Sequence, residues 1–517
     1  MPQPAFGSYE ILKIRDDVCF DRFGRYGPYG LGYSKALGGL GCENDTENSD
    51  TEHVWAETGP IDYRHIDWAD AQRRCYESNK DQSGTAIDQS QGATKSESRT
   101  AIVIRSYEGF TWTPMVILNL RAMITELSLK TGGEYSVHLL MQAKDARLPL
   151  WIDGTVRETY LHKHVPVEFH GLVTLWSERQ MKLLYPGDFS SYYRNPTGKD
   201  IHDVYRSPHF ALQDFAKEHP EYRHVWNWEL DVRVLGNYYE FLDRISKWSD
   251  SRPRDLLWEH NERYFIPRYH KSWANFTETI RKQEQSEGQA IMGPLTALWR
   301  KKLSFEEAGG TVLPADCPRR PETCGVGEEA DLITLNPIFD VGGSDWYFTQ
   351  DVTGYDKSLR DTLPRRAAIV TAGRYSRRLL TAMHEEVRRH NRSMFAEMFP
   401  ATVALHHGLK AVYAPHPVYV DRAWAPASAV DRHFNSGERH STSGRKGPFS
   451  LATERVHAVT SWYYKSDFPQ QLWTRWLGYA DSAGRGGREE ESRRGSGGRM
   501  CLRSMLLHPI KHEHPAE

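Results

Sequence analysis

Residues 222–244, YRHVWNWELDVRVLGNYYEFLDR, constrain the fold of this chain more than any other stretch. Trp226, Trp228, Leu230 and Val232 alternate with Asn227, Glu229, Asp231 and Arg233. Alternation of period two among aromatic and β-branched residues predicts a half-buried strand. Same-face neighbours on a strand stand about 7 Å apart, so Glu229 and Asp231 converge on one small cationic object. Gly236 and a helix-like run over residues 238–248 follow. Both acids then sit at a strand's carboxyl end, where open α/β sheets bind ligands. Two carboxylates beside a basic residue suit a divalent metal that holds a diphosphate, because hard cations take oxygen ligands. The plainer alternative is a polar strand face that meets water.

With 517 residues, 39% hydrophobic and 26% charged, the chain has room for a large decorated α/β unit or several domains. A formal net charge of −2 gives no reason to expect nucleic acid or an anionic membrane as a bulk partner. No window reaches the roughly 18 apolar residues of a membrane span, which excludes a polytopic transporter. Residues 115–120, the best apolar run, read as core. No signal peptide opens the sequence, so a cytoplasmic protein is the literal reading. The alternative is a secretory-pathway protein, in the Golgi or ER lumen, whose upstream anchor is missing. The six cysteines show no zinc spacing. Cys317 and Cys324 would close a short loop in an oxidising compartment, where the sequons at Asn44, Asn275 and Asn391 would also be usable.

Residues 1–98 read as an irregular extension, with Ser/Asp/Glu/Gln-rich, disorder-prone stretches at 42–58 and 78–98 around a short helix at 66–79. The folded core starts near residue 99. A strand over 100–105, a helix over 114–129 with Pro near its start, and a strand over 135–141 open a parallel sheet. The loop Arg105, Ser106, Tyr107, Glu108 then lies at the sheet's carboxyl edge, either as a nucleotide contact or as a plain βα turn. Residues 99–250 read as one α/β half, ending in the strand that carries Glu229 and Asp231. Residues 251–425 read as a second half, with strands at 331–339 and 365–372 and a helix at 375–389. Residues 426–517 wrap around both, with low-complexity linkers at 436–447 and 481–499.

His384, Glu385 and His390 fail the H-E-x-x-H spacing, and neither a nucleophile elbow nor a Walker loop is present. His406, His407 and His416 lie in an apolar segment and are candidate metal ligands, although singly each reads as a structural histidine.

The strings RDDVCFDRFGRYGPYG, VWNWELDVR, LWEHNERYFIP, EEADLITLNPIFD, PRRAAIVTAGRYSRRLL and ALHHGLKAVYAPHPVYVDR resemble a fungal family of unknown function. Its members are sometimes mislabelled as major facilitator transporters and commonly look like type II membrane proteins. The family in turn resembles GT-A glycosyltransferases. That resemblance implies a mixed, mainly parallel sheet flanked by helices, a nucleotide-sugar donor, and Mn²⁺ or Mg²⁺ held by a D-x-D-type pair and often a late histidine. Carried over, Glu229 and Asp231 match the pair as E-x-D, and His407 or His416 matches the histidine. Arg105 or Arg233 would add charge to the phosphates. Glu329, Asp331 and Glu397 are candidates for the base that an inverting enzyme needs. The acceptor is expected to be a glycan, protein or lipid. The other readings are a glycosyltransferase-like binding module without turnover and a metal-dependent phosphoesterase.

Overall fold

The computed structural model describes residues 2–40, 55–56, 59–80, 99–145, 147–189, 194–287, 320, 322–487 and 499–513. A seven-stranded mixed sheet organises it: β1 (Arg99–Tyr107), β2 (Tyr135–Gln142), β3 (Val173–Trp176), β4 (Tyr222–Glu229), β5 (Leu332–Thr334), β6 (Gly373–Ser376) and β7 (Ala411–Tyr413). In space the order is β3-β2-β1-β4-β6-β5-β7. Only β6 runs against the rest, pairing antiparallel with both β4 and β5. The chain leaves β1, builds outward through β2 and β3, and returns to β1's other side as β4. The order therefore reverses between β1 and β4, and this switch point opens a crevice beyond their carboxyl ends.

Helices cover both faces. In α1 (Pro114–Leu127) the Thr113 side chain accepts from Val116 N–H and Pro114 opens the first turn, where its missing donor costs nothing. On the same face Trp228 of β4 meets Tyr238 of α3 (Tyr238–Asp250), with ring centroids 6.4 Å apart. His138 of β2 instead meets Phe215 of α2 (His209–Glu218) at 5.1 Å. His138 is in register with Val103, and Val103 with Asn227, so α2 lies on the opposite face. α4 (Arg377–His390) packs beside α2.

Several local expectations change. The segment at 222–233 is not a half-buried strand: Trp226 and Asn227, which point to opposite faces, are both buried because helices cover each side. The strand also stops at Glu229, and Asp231 lies in the following turn, closed by Val232 N–H on the Glu229 carbonyl at 3.2 Å. Of the strand expected at 365–372, only Arg366–Ala367 is extended, and it pairs with Phe339–Asp340 outside the main sheet. The apolar segment of the late histidines splits into the helix α5 (Phe399–His406) and β7.

Both chain ends enter the core. Tyr26 hydroxyl reaches Asn119 near the middle of α1, while Arg25 and Tyr29 reach Glu126 in its last turn at 2.6 and 2.7 Å. Cys19–Phe20 pairs antiparallel with Leu502–Arg503, and a disulfide joins Cys19 to Cys501. Cys324 is also disulfide-bonded, and the expected partner Cys317 lies outside the described residues. Leu506–Leu507 pairs with Arg233–Val234, immediately after the acidic turn. Among the described residues no helix is long and apolar enough to cross a membrane.

The Cys19–Cys501 link closes the sequence over 482 positions, so replacing both cysteines by serine should destabilise the protein by about 2–5 kcal/mol. Hydrogen exchange across residues 502–508 should accelerate in that variant. Unchanged exchange there would show that packing alone holds the segment.

Candidate functional site

Arg105 and Glu229 are register partners at the carboxyl ends of β1 and β4, on either side of the switch point. Arg105 Nη2 donates to Glu229 Oε1 and to Thr371 Oγ1, each at 2.5 Å, and the Thr371 hydroxyl donates to the same Glu229 oxygen at 2.8 Å. Glu229 Oε2 is left facing the other way. There it lies 3.3 Å from His508 Nε2, which is also 3.5 Å from Asp231 Oδ1. The second Asp231 oxygen is paired with the Lys511 ammonium. Glu229, Asp231 and His508 thus offer two oxygens and one nitrogen that all lie within 4.8 Å of one another.

The backbone fixes His508 on both sides. The strand Leu506–Leu507 delivers it, its N–H donates to Ser461 at 3.2 Å, and its carbonyl accepts from Tyr463 N–H at 3.1 Å. Two residues on, Ile510 N–H donates to the Asp231 carbonyl at 2.9 Å. The ring packs against Trp462 at 5.2 Å, and its Nδ1 has no partner among the described residues. Burial opposes the imidazolium, yet the Asp231 and Glu229 carboxylates outweigh it and raise the His508 pKa to about 9. Burial likewise opposes the two carboxylates, but Arg105 and His508 hold Glu229 below its usual range, and His508 and Lys511 hold Asp231 below its own.

Two cavities meet here. One of about 440 Å³ lies over β1, β2 and β3, lined by Ser106, Tyr107, Gln142, Lys144 and Trp176. The other, about 710 Å³, lies toward β6 and is lined by Thr371, Glu397, Tyr205, Tyr347 and His508. Arg105, Glu229 and Lys511 line both, so the charged cluster stands at their junction.

The structure sorts the residues expected from sequence. Glu229, Asp231 and Arg105 come together. Ser106 and Tyr107 line the smaller cavity, and the buried Ser106 hydroxyl has no partner among the described residues. Glu108 is instead spent on the connection after β2, accepting from Lys144 and Asp145 N–H and from the Tyr160 hydroxyl. Arg233 turns away and binds the Leu230 and Val232 carbonyls and Glu513. Glu329 and Asp331 sit at the opposite sheet edge. Glu329 pairs with Arg223 at 2.6 Å, and Asp331 binds Ser376, Arg378 and Lys410 N–H. Ser376 is in register with His224, five residues from Glu229 along β4, a separation of about 16 Å. His407 is spent on Glu386 at 3.0 Å, and His406 and His416 donate to the Pro364 and Leu335 carbonyls. The histidine that joins the acids is His508, which no motif in the sequence singles out. Its one signal was an ordered apolar stretch reappearing after a low-complexity linker.

Glu397 alone among the three candidate bases lines the large cavity. Its Oε1 accepts from Val370 N–H at 2.8 Å. Val370 is held at φ +69°, a left-handed conformation that β-branched residues avoid, next to the Thr371 that binds Glu229. Burial outweighs the Val370 hydrogen bond, with Glu229's charge adding to it, and pushes the Glu397 pKa up to about 8.

The family described as "Protein of unknown function (DUF3405)" matches residues 19–512. The chain belongs to that family. Its matched region takes in both cysteines of the clamp and the whole Glu229–Asp231–His508 cluster. No curated protein matches the chain.

With a pKa raised in the fold, His508 contributes stability that is fully present below about pH 6.5 and lost as pH rises through about 9. In chelator, the melting-temperature gap between wild type and His508→Gln should therefore be wide near pH 6 and close by about pH 10. A gap that widens with pH would reverse the assignment.

Proposed function

We propose that this protein transfers a sugar from a nucleotide-sugar donor, with a divalent metal held by Glu229, Asp231 and His508 and a GT-A-like sheet as scaffold. The observation that carries the reading is the convergence of these three groups at the β1–β4 switch point, between two cavities, which the reading assigns one to the nucleotide and the other to the acceptor. The first four strands support it, since 3-2-1 is the order of a mononucleotide-binding half and strand 4 beside strand 1 makes the switch point where such sheets bind nucleotides. Two carboxylate oxygens suit a hard cation, and the imidazole tilts the choice from Mg²⁺ toward Mn²⁺.

When bound, the metal would offset charge on the departing diphosphate. Arg105 and Lys511 flank the same point and add fixed positive charge. Ser106 and Tyr107 would contact the nucleotide. Glu397 faces the same space from the other wall. As its carboxylate it would take the proton of an acceptor hydroxyl while that oxygen bonds to the anomeric carbon. The bond from that carbon to the phosphate oxygen breaks, and the nucleoside diphosphate leaves. A base near pH 8 suits this work, and direct attack from the opposite side inverts the anomeric configuration.

Asp231→Asn should weaken Mn²⁺-dependent binding of a nucleoside diphosphate at least about tenfold, the scale of one lost charged contact. Calorimetry with a panel of nucleoside diphosphates reads this, and the fold should survive. Retained binding would remove Asp231 from the site, and outright unfolding would make it a structural partner of Lys511 and His508.

Glu397 must lose its proton to act, so kcat/KM should rise with pH and level off above about 8. Glu397→Gln should lower kcat by about 10²–10⁴-fold and flatten that rise. A variant that keeps the wild-type profile would leave the transfer without this base.

A further inference from the structure

The large cavity has an aromatic wall that the donor site does not use. Phe348 stacks on Phe395 with centroids 3.5 Å apart and planes 2° from parallel. Tyr205 leans on Phe395 at 5.7 Å, Tyr347 meets Phe348 edge-on at 4.9 Å, and Trp346 backs Phe348 at 5.5 Å. All five line the cavity. Trp346, Phe348 and Phe395 are buried, but Tyr205 and Tyr347 keep 56% and 50% of their surface exposed. Rigid aromatic platforms presented to water at the mouth of a pocket mark a place for a ligand's apolar face.

Polar groups interrupt this wall. Glu397 lies two residues after Phe395, and Glu454 lines the same cavity. Glu454 accepts from the Tyr464 hydroxyl and the Lys465 ammonium, each at 2.8 Å. A hydrocarbon chain would strand these groups without water. A pyranose ring fits them, with its C–H face on a tyrosine and its equatorial hydroxyls toward carboxylate, ammonium and phenol. Glu454 and Lys465 are already paired, so this part of the wall selects for neither charge.

We propose that this wall binds the acceptor, and that the acceptor is a neutral carbohydrate whose pyranose rings stack on Tyr205 and Tyr347. The assignment rests on the donor reading for the direction of transfer, because the wall runs to Glu397, Glu229 and His508 in one continuous cavity. A sugar stacked there presents a hydroxyl to the Glu397 carboxylate.

Saturation-transfer NMR on the full chain, with a panel of neutral gluco- and manno-tetraoses and a Ser/Thr-containing peptide, tests this. The tetraoses should receive saturation most strongly at pyranose C–H protons. Tyr205→Ala should weaken their binding about tenfold, as truncation of an aromatic anchor does, and Tyr205→Phe should restore it to within about twofold, since the ring face is kept. Equal melting temperatures check the fold of both variants. Absence of saturation in every tetraose, binding indifferent to Tyr205→Ala, or saturation of the peptide alone would overturn the proposal. Mn²⁺-dependent nucleoside diphosphate binding by the wild type reports on the donor reading separately. If that binding is intact while sugars fail, only the acceptor assignment falls. If sugars bind with the predicted Tyr205 dependence and nucleotide binding is absent, the wall stands as a sugar site and the transfer reading falls.

Discussion

A two-residue ladder, Leu506–Leu507 against Arg233–Val234, carries the candidate site. It brings His508 from nearly 280 positions away to within 3.3 Å of Glu229. Closing so long a loop is entropically costly, and the fold meets that cost with several fasteners around one short segment. The Cys19–Cys501 disulfide and the Cys19–Phe20 strand hold its start. Glu513 holds its end, bonded to Arg233 and to the Trp473 indole. Arg233, expected to meet a phosphate, is instead the buried post to which the tail is tied.

The elements read correctly from sequence are those specified locally. The β1–α1–β2 opening follows from apolar runs and a Thr-Pro helix start, and the acidic pair's position follows from the glycine and helix after it. The half-buried reading of β4 failed because Asn227, polar by type, is buried with its amide on the Thr371 carbonyl. Polarity there marked a partner in the loop before β6, not solvent. Asp231 comes beside Glu229 through a turn rather than through strand alternation, so the two carboxylates meet for a different geometric reason. Which histidine completes the cluster was not legible. His407 and His416 lie in a richer local context, but an imidazole's role is set by what long-range pairing puts opposite it. For them that is Glu386 and the Leu335 carbonyl. His508 has only a short apolar run to announce it.

The same reasoning accounts for the two cavities. Parallel strands ending together leave a trough along the carboxyl edge, and the β1–β4 reversal widens it. The returning tail lines both parts of the trough, and the loop between Ala367 and Gly373 lines the larger. That loop touches both halves of the proposed chemistry, with Thr371 on Glu229 and Val370 N–H on Glu397. The left-handed Val370 is the conformational cost of presenting both contacts from adjacent residues.

An anomalous difference map from crystals grown with Mn²⁺ and a nucleoside diphosphate tests the central claim most directly. It should show one manganese peak about 2.0–2.3 Å from His508 Nε2 and from oxygens of Glu229 and Asp231. The diphosphate should reach toward Arg105 and Lys511. A peak elsewhere, or none while His508 stays paired with both carboxylates, would contradict the metal site and the transfer chemistry built on it.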